Sequence, residues 1–179
     1  MNALIHRFLP FASLIVLGGQ AYATILISPV VISSAPAFDV PYAAANAVDS
    51  TEADYASAGQ GSAAFVDFNL GGLVPVGGFD WFDRPADEDR VTAFDMIFSQ
   101  DAVFGNGDDI TRSYSNSAMA KGDVFAAINA RYVRYDVTGI AGGVNTGLSE
   151  MIFYQVPEPS SLLCLGMALG AVSLRRRRQ

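Results

Sequence analysis

In Phe65-Val66-Asp67-Phe68-Asn69-Leu70 apolar and polar side chains change places residue by residue. A strand sends successive side chains to opposite faces, so Val66, Phe68 and Leu70 share one face and Asp67 and Asn69 the other, a sorting no helix achieves. Tyr132-Val133-Arg134-Tyr135-Asp136-Val137 repeats the pattern, with Val133, Tyr135 and Val137 turned inward. Half-buried strands of this kind belong to antiparallel sheets with one solvated face. Further strand-like runs at 76–82 (after Gly71-Gly72), 91–99 and 150–154 are separated by Gly, Pro, Asn and Asp. Helical periodicity, internal repeats and long Gly/Ser linkers are absent from this region. The pattern predicts one all-β domain, an antiparallel β-sandwich.

The two ends bound that domain. Residues 1–23 carry His6 and Arg7, an apolar stretch over 8–17 and a small-residue site, Ala21-Tyr22-Ala23. This is the three-part build of a cleavable secretory signal, so cleavage is expected after Ala23. At the other end, Val156-Pro157-Glu158-Pro159 is followed by an apolar run over 162–174 and then by Arg175, Arg176, Arg177 and Arg178. Prolines 157 and 159 hold the backbone extended, which keeps the segment around Glu158 open to an enzyme. A helix over 160–174 would rise roughly 22 Å, short of the roughly 30 Å hydrocarbon core, a gap that bilayer thinning and arginine snorkelling can close. The arginines then hold the terminus on the cytoplasmic side and leave the preceding domain outside.

Between those ends, residues 24–156 hold 17 Asp and Glu against 6 Lys and Arg, a net charge of −11 where the whole chain shows −7. Nucleic acid is excluded as a partner, because binding phosphate needs a basic face. The only cysteine, Cys164, lies in the tail, and the only histidine, His6, in the leader. Ser-His and Cys-His nucleophiles, an imidazole base and His-ligated zinc or iron are therefore excluded from the mature domain. An exported domain without disulfides relies on its core or on bound cations, and acidic loops suit calcium. Carboxylate pairs such as Asp80 and Asp83 arise by chance among so many, and no phosphate loop or nucleophile elbow accompanies them, so no enzyme activity is expected.

The order Pro-Glu-Pro, apolar run, arginine cluster over 156–179 resembles the PEP-CTERM sorting signal of Gram-negative bacteria. The resemblance implies an exosortase as partner, a transmembrane sorting helix, passage through the inner membrane, and delivery to the cell surface or extracellular matrix.

Residues 24–155 resemble the discoidin, or coagulation-factor type C, family of galactose-binding-like jelly rolls. The matching pieces run in family order. They are Ala45-Asn46-Ala47-Val48-Asp49 with Asp54-Tyr55, the strand 65–70 with Gly71, Phe98-Ser99-Gln100-Asp101, Ala130-Arg131-Tyr132-Val133-Arg134, and Ser149-Glu150-Met151-Ile152-Phe153-Tyr154. Ser50 stands where the family prefers Gly, and Asp54 where it prefers Thr. The resemblance implies a structural calcium recruiting Asp49, Asp54 and Glu150, three residues that also fit solvated turn formers. A second acidic stretch, 101–109, lacks EF-hand spacing and fits a hairpin with left-handed residues at Asn106-Gly107. Ligand contacts on end loops point to Trp81, Asp83 and Arg84, although a lone tryptophan in a strand-like run with Phe79 and Phe82 is more often core than platform. The expected function is non-catalytic binding of extracellular polysaccharide or a surface partner; the alternative is a purely structural matrix component.

Overall fold

The computed structural model describes residues 14–17, 20–23, 25–51, 53–116 and 118–156. Strands β1 (Leu14–Leu17) and β2 (Gln20–Ala23), within the expected leader, form an antiparallel pair, with Leu14 opposite Ala23. The sorting motif's Pro157, Glu158 and Pro159, the expected membrane helix and the arginine cluster lie outside the described residues. Among the described residues no helix is long and apolar enough to cross a membrane.

The compact domain spans Leu26–Val156. Its strands are β3 (Ile25–Ile27), β4 (Val30–Ser34), β5 (Tyr55–Ala56), β6 (Phe65–Phe82), β7 (Val91–Ser99), β8 (Ile110–Ser115), β9 (Ala120–Ile140), β10 (Gly147–Leu148) and β11 (Glu150–Gln155). Hydrogen bonding orders seven of them in one sheet, β3-β11-β6-β9-β7-β8 with β4 also on β6, and pairs β10 with β5 separately. The alternation in 65–70 and 132–137 turns its apolar residues inward as expected: Val66, Phe68, Leu70, Val133, Tyr135 and Val137 are all buried.

The strand expected to restart at residue 76 does not restart. Residues 65–82 form one strand that keeps β9 as its neighbour on both sides of an irregular stretch between Asn69 and Val74. Gly71, at φ 84°, absorbs the irregularity by bending the strand. The bend has an architectural use. The first part of β6 bonds β4 and the last part bonds β11, so the two long strands pass from one layer of the sandwich to the other. Rings from the two layers then meet in the core: Phe68 packs edge-on against Phe153 at 5.4 Å, and Trp81 lies 4.9 Å from Phe94. Each fully buried aromatic contributes about 2 kcal/mol or more. Tyr55 seals one side, its hydroxyl donating to Ala35 O at 2.7 Å, and burial pushes that hydroxyl up to about 12.

On the opposite face of the first layer, Arg134 makes two hydrogen bonds to Asp67, at 2.7 and 2.9 Å. The guanidinium also lies between the rings of Phe65 and Phe104, at 4.6 and 4.5 Å. This ties the β7–β8 connection to the sheet. The connection is a hairpin loop, but its left-handed residue is Gly105 (φ 89°), not Asn106-Gly107. Its carboxylates bond the loop's own amides: Asp101 accepts from Val103 N at 2.8 Å and Asp109 from Asn106 N at 3.3 Å.

Candidate functional site

At one end of the sandwich, β6 finishes at Phe82 opposite Glu150, where β11 starts, and opposite Ala120, where β9 starts. The opening loop, residues 43–54, reaches the same place, because Ser50 N donates to Glu150 Oε2 at 3.0 Å. Together they enclose a shallow cleft of about 610 Å³. Phe82 and Met119, 39% and 38% exposed, supply its apolar surface, and Ser50, Thr51, Ser149 and Glu150 supply polar groups. An exposed ring beside hydroxyls and a carboxylate can stack on a sugar face while accepting and donating to its hydroxyls.

The residues expected to contact ligand have other work. Trp81 is 0% exposed, enclosed by Phe94 and Tyr135, so it has no face to offer a sugar. That expectation is corrected: strand alternation turns Phe79 and Trp81 inward and Phe82 outward, and Phe82 is the aromatic on the surface. Asp83, 4% exposed, borders the cleft but is a latch. It accepts from Arg84 N at 2.9 Å and from Val91 N at 3.2 Å, closing the loop between β6 and β7. Burial pushes its carboxyl up to about 6, against the opposing pull of those amides and of Arg90 and Arg84.

Arg84, 8% exposed, ties its own loop to two others. It bonds Asp54 at 3.0 Å and Asp89 at 3.3 Å, donates to Asn145 O, and lies 5.5 Å from the Tyr42 ring. Gly143 permits this closure, because a Cβ there would strike Asp89 and the Glu88 carbonyl.

The three carboxylates expected to hold calcium are divided. Glu150 accepts from the Ser50 amide, and Asp49 precedes Ser50 in the chain. Burial first, and then the Asp49 charge, raise the Glu150 carboxyl, while the Ser50 amide opposes them. Asp49 accepts from Thr51 N and Oγ1, at 2.9 and 2.7 Å, as a turn former does. Asp54 is withheld by Arg84, so a calcium ion held by all three does not fit this arrangement. No group of three or more acidic, His or Cys side chains suited to a metal occurs among the described residues.

The family profile of the PEP-CTERM protein-sorting motif matches residues 155–178. No curated protein matches the chain. Among solved structures, the fold is similar to chitosan-binding module 2, in complex with chitotriose, of a chitosanase/glucanase from Paenibacillus sp. IK-5. That likeness has a TM-score of 0.61 and 23% identity, covering 72% of this chain and 97% of that one. It is also similar to the family 32 carbohydrate-binding module of NanJ from C. perfringens, in complex with galactose (TM-score 0.60, 15% identity, 74% and 99% covered). A third likeness is a family 32 module from a family 31 glycoside hydrolase of Clostridium perfringens (TM-score 0.60, 20% identity, 72% and 91% covered). The chain thus carries an exported protein's C-terminal sorting signal behind a discoidin-like jelly roll.

Proposed function

We propose that this chain is a non-catalytic polysaccharide-binding protein, processed at its tail by an exosortase and delivered to the cell surface or extracellular matrix of a Gram-negative bacterium. Its jelly roll takes a glycan in the cleft at Phe82. The observation that carries the reading is the exposed Phe82 ring beside the polar rim of Ser50, Ser149 and Glu150, in a fold shared with modules solved with chitotriose and galactose. The absence of His and Cys from residues 24–156 supports binding rather than catalysis.

The test is titration of residues 24–156 with the producing cell's own exopolysaccharide and with a panel of glycans. Saturable binding is expected, lost in Phe82→Ala; binding that survives Phe82→Ala would move the site elsewhere. The second reading, a structural matrix component, is favoured by β4, which exposes Val30 and Ile32 and, among the described residues, bonds only β6. Failure to bind any sugar, together with concentration-dependent self-association, would select it.

A further inference from the structure

The segment that matches the sorting motif begins inside the folded sheet. Its first residue, Gln155, is the last of β11 and lies opposite Val76. The next, Val156, donates its N–H to Pro75 O at 3.1 Å. Its side chain occupies the space over Gly77, where a Cβ would collide with Val156 Cγ2. Gly77 therefore seats Val156. Pro157 follows at once, with no amide to continue the ladder and with a steric preference that keeps Val156 extended. No spacer separates the sheet from Pro-Glu-Pro.

We infer that the folded domain limits access to its own sorting motif, and that the processing enzyme engages the chain only after Gln155 and Val156 peel from Pro75, Val76 and Gly77. This rests on the exosortase reading given above. Enzymes that cut extended peptides commonly bind them through main-chain hydrogen bonds on both sides of the cut. The Val156 amide cannot bond Pro75 and an enzyme together. The strand also has a natural parting point, because its register on β6 shifts between Tyr154 and Gln155. Two residues can leave there while residues 150–154 stay paired, a local opening far easier than unfolding the domain.

The experiment follows the full chain in a host that carries an exosortase, reading C-terminal shortening by pulse-chase and mass measurement. A four-residue Gly-Ser insertion between Val156 and Pro157 gives the enzyme free chain and is expected to speed processing by about tenfold, the equilibrium worth of a hydrogen bond and a small packed side chain. Gly77→Ala, which unseats Val156 without lengthening the chain, is expected to act in the same direction. The insertion lies beyond the last paired residue, so the thermal midpoint of the domain stays where it was. Equal rates in parent and both variants would overturn the inference and leave the sorting reading intact. No shortening of the parent chain, while an unrelated carrier fused to residues 156–179 is also left whole, would overturn the sorting reading and the inference with it.

Discussion

Ser50 is the only non-glycine residue with positive φ, 58°, among the described residues. A side chain in that region costs roughly 1 kcal/mol relative to glycine, and the contact that fixes the turn uses only the backbone N–H of Ser50. Ser50→Gly is therefore expected to stabilise the domain by about 0.5–1 kcal/mol in a denaturant titration with unchanged slope, the gain trimmed by the freer unfolded chain. A loss would mean that the serine hydroxyl holds the turn. The position was legible in the sequence as a departure from the glycine that the discoidin resemblance leads one to expect there. The exposed aromatic of the cleft, Phe82, was less so, because composition draws the eye to the lone tryptophan. A strict continuation of the alternation at Val66, Phe68 and Leu70 would turn Phe82 inward; the irregularities between Asn69 and Val74 and between Val76 and Gly78 reverse the phase and leave Trp81 inside and Phe82 outside. What the sequence could not show is that Asp54 faces Arg84, 30 residues away, instead of Asp49 and Glu150.

The loop between β6 and β7, residues 83–90, is held by two devices, and each predicts a different response. Asp83 ordinarily loses its proton near 3.8 but keeps it to about 6 in the fold. Between those values the folded state binds more protons than the unfolded chain, so unfolding free energy falls as pH rises through the window. Asp83→Asn removes that titration, and its pH profile, measured by chemical denaturation, should fall less steeply than the parent's between about pH 4 and 6. An identical slope in both would assign the effect to other carboxylates. Arg84 acts by charge: Arg84→Met leaves the partly buried Asp54 and Asp89 without their cation and should cost about 2 kcal/mol, shown by the denaturation midpoint. Because Asp54 already has its cation, millimolar calcium is expected to leave the thermal midpoint of the intact domain where a chelator leaves it. A rise with calcium would show Asp54 giving up Arg84 to the ion. At this scale the strands that alternate were legible, whereas β8 and the first half of β9 were not. Ile110-Thr-Arg-Ser-Tyr-Ser is largely polar, and Ala120-Lys-Gly-Asp-Val-Phe-Ala-Ala has no clean period. Both are strands because β7 and β6 supply the ladders.

Taken whole, the chain sheds positive charge if its leader and tail are removed as proposed. The full sequence carries −7, residues 24–156 carry −11, and the difference lies mostly in the four terminal arginines. On the proposed sorting those arginines serve an attraction to the inner membrane, and residues 24–156 by themselves keep a field that repels polyanions. That field separates two kinds of matrix glycan. A neutral polysaccharide stacked on Phe82 meets no net Coulomb force, and its affinity should change little with ionic strength. A uronic-acid polymer has to approach against the −11 charge, and at about 0.02 M salt the repulsion extends roughly 20 Å from the surface. Raising salt to about 0.3 M contracts it to within the first contact layer, so affinity for such a polymer should increase with salt. The slope, measured by titration of residues 24–156 at several ionic strengths, has a sign opposite to that of a basic patch releasing counterions. Affinity for the acidic polymer that falls as salt rises would locate its binding on an outward-facing cation such as Arg131 and away from the cleft, whose polar rim carries Glu150.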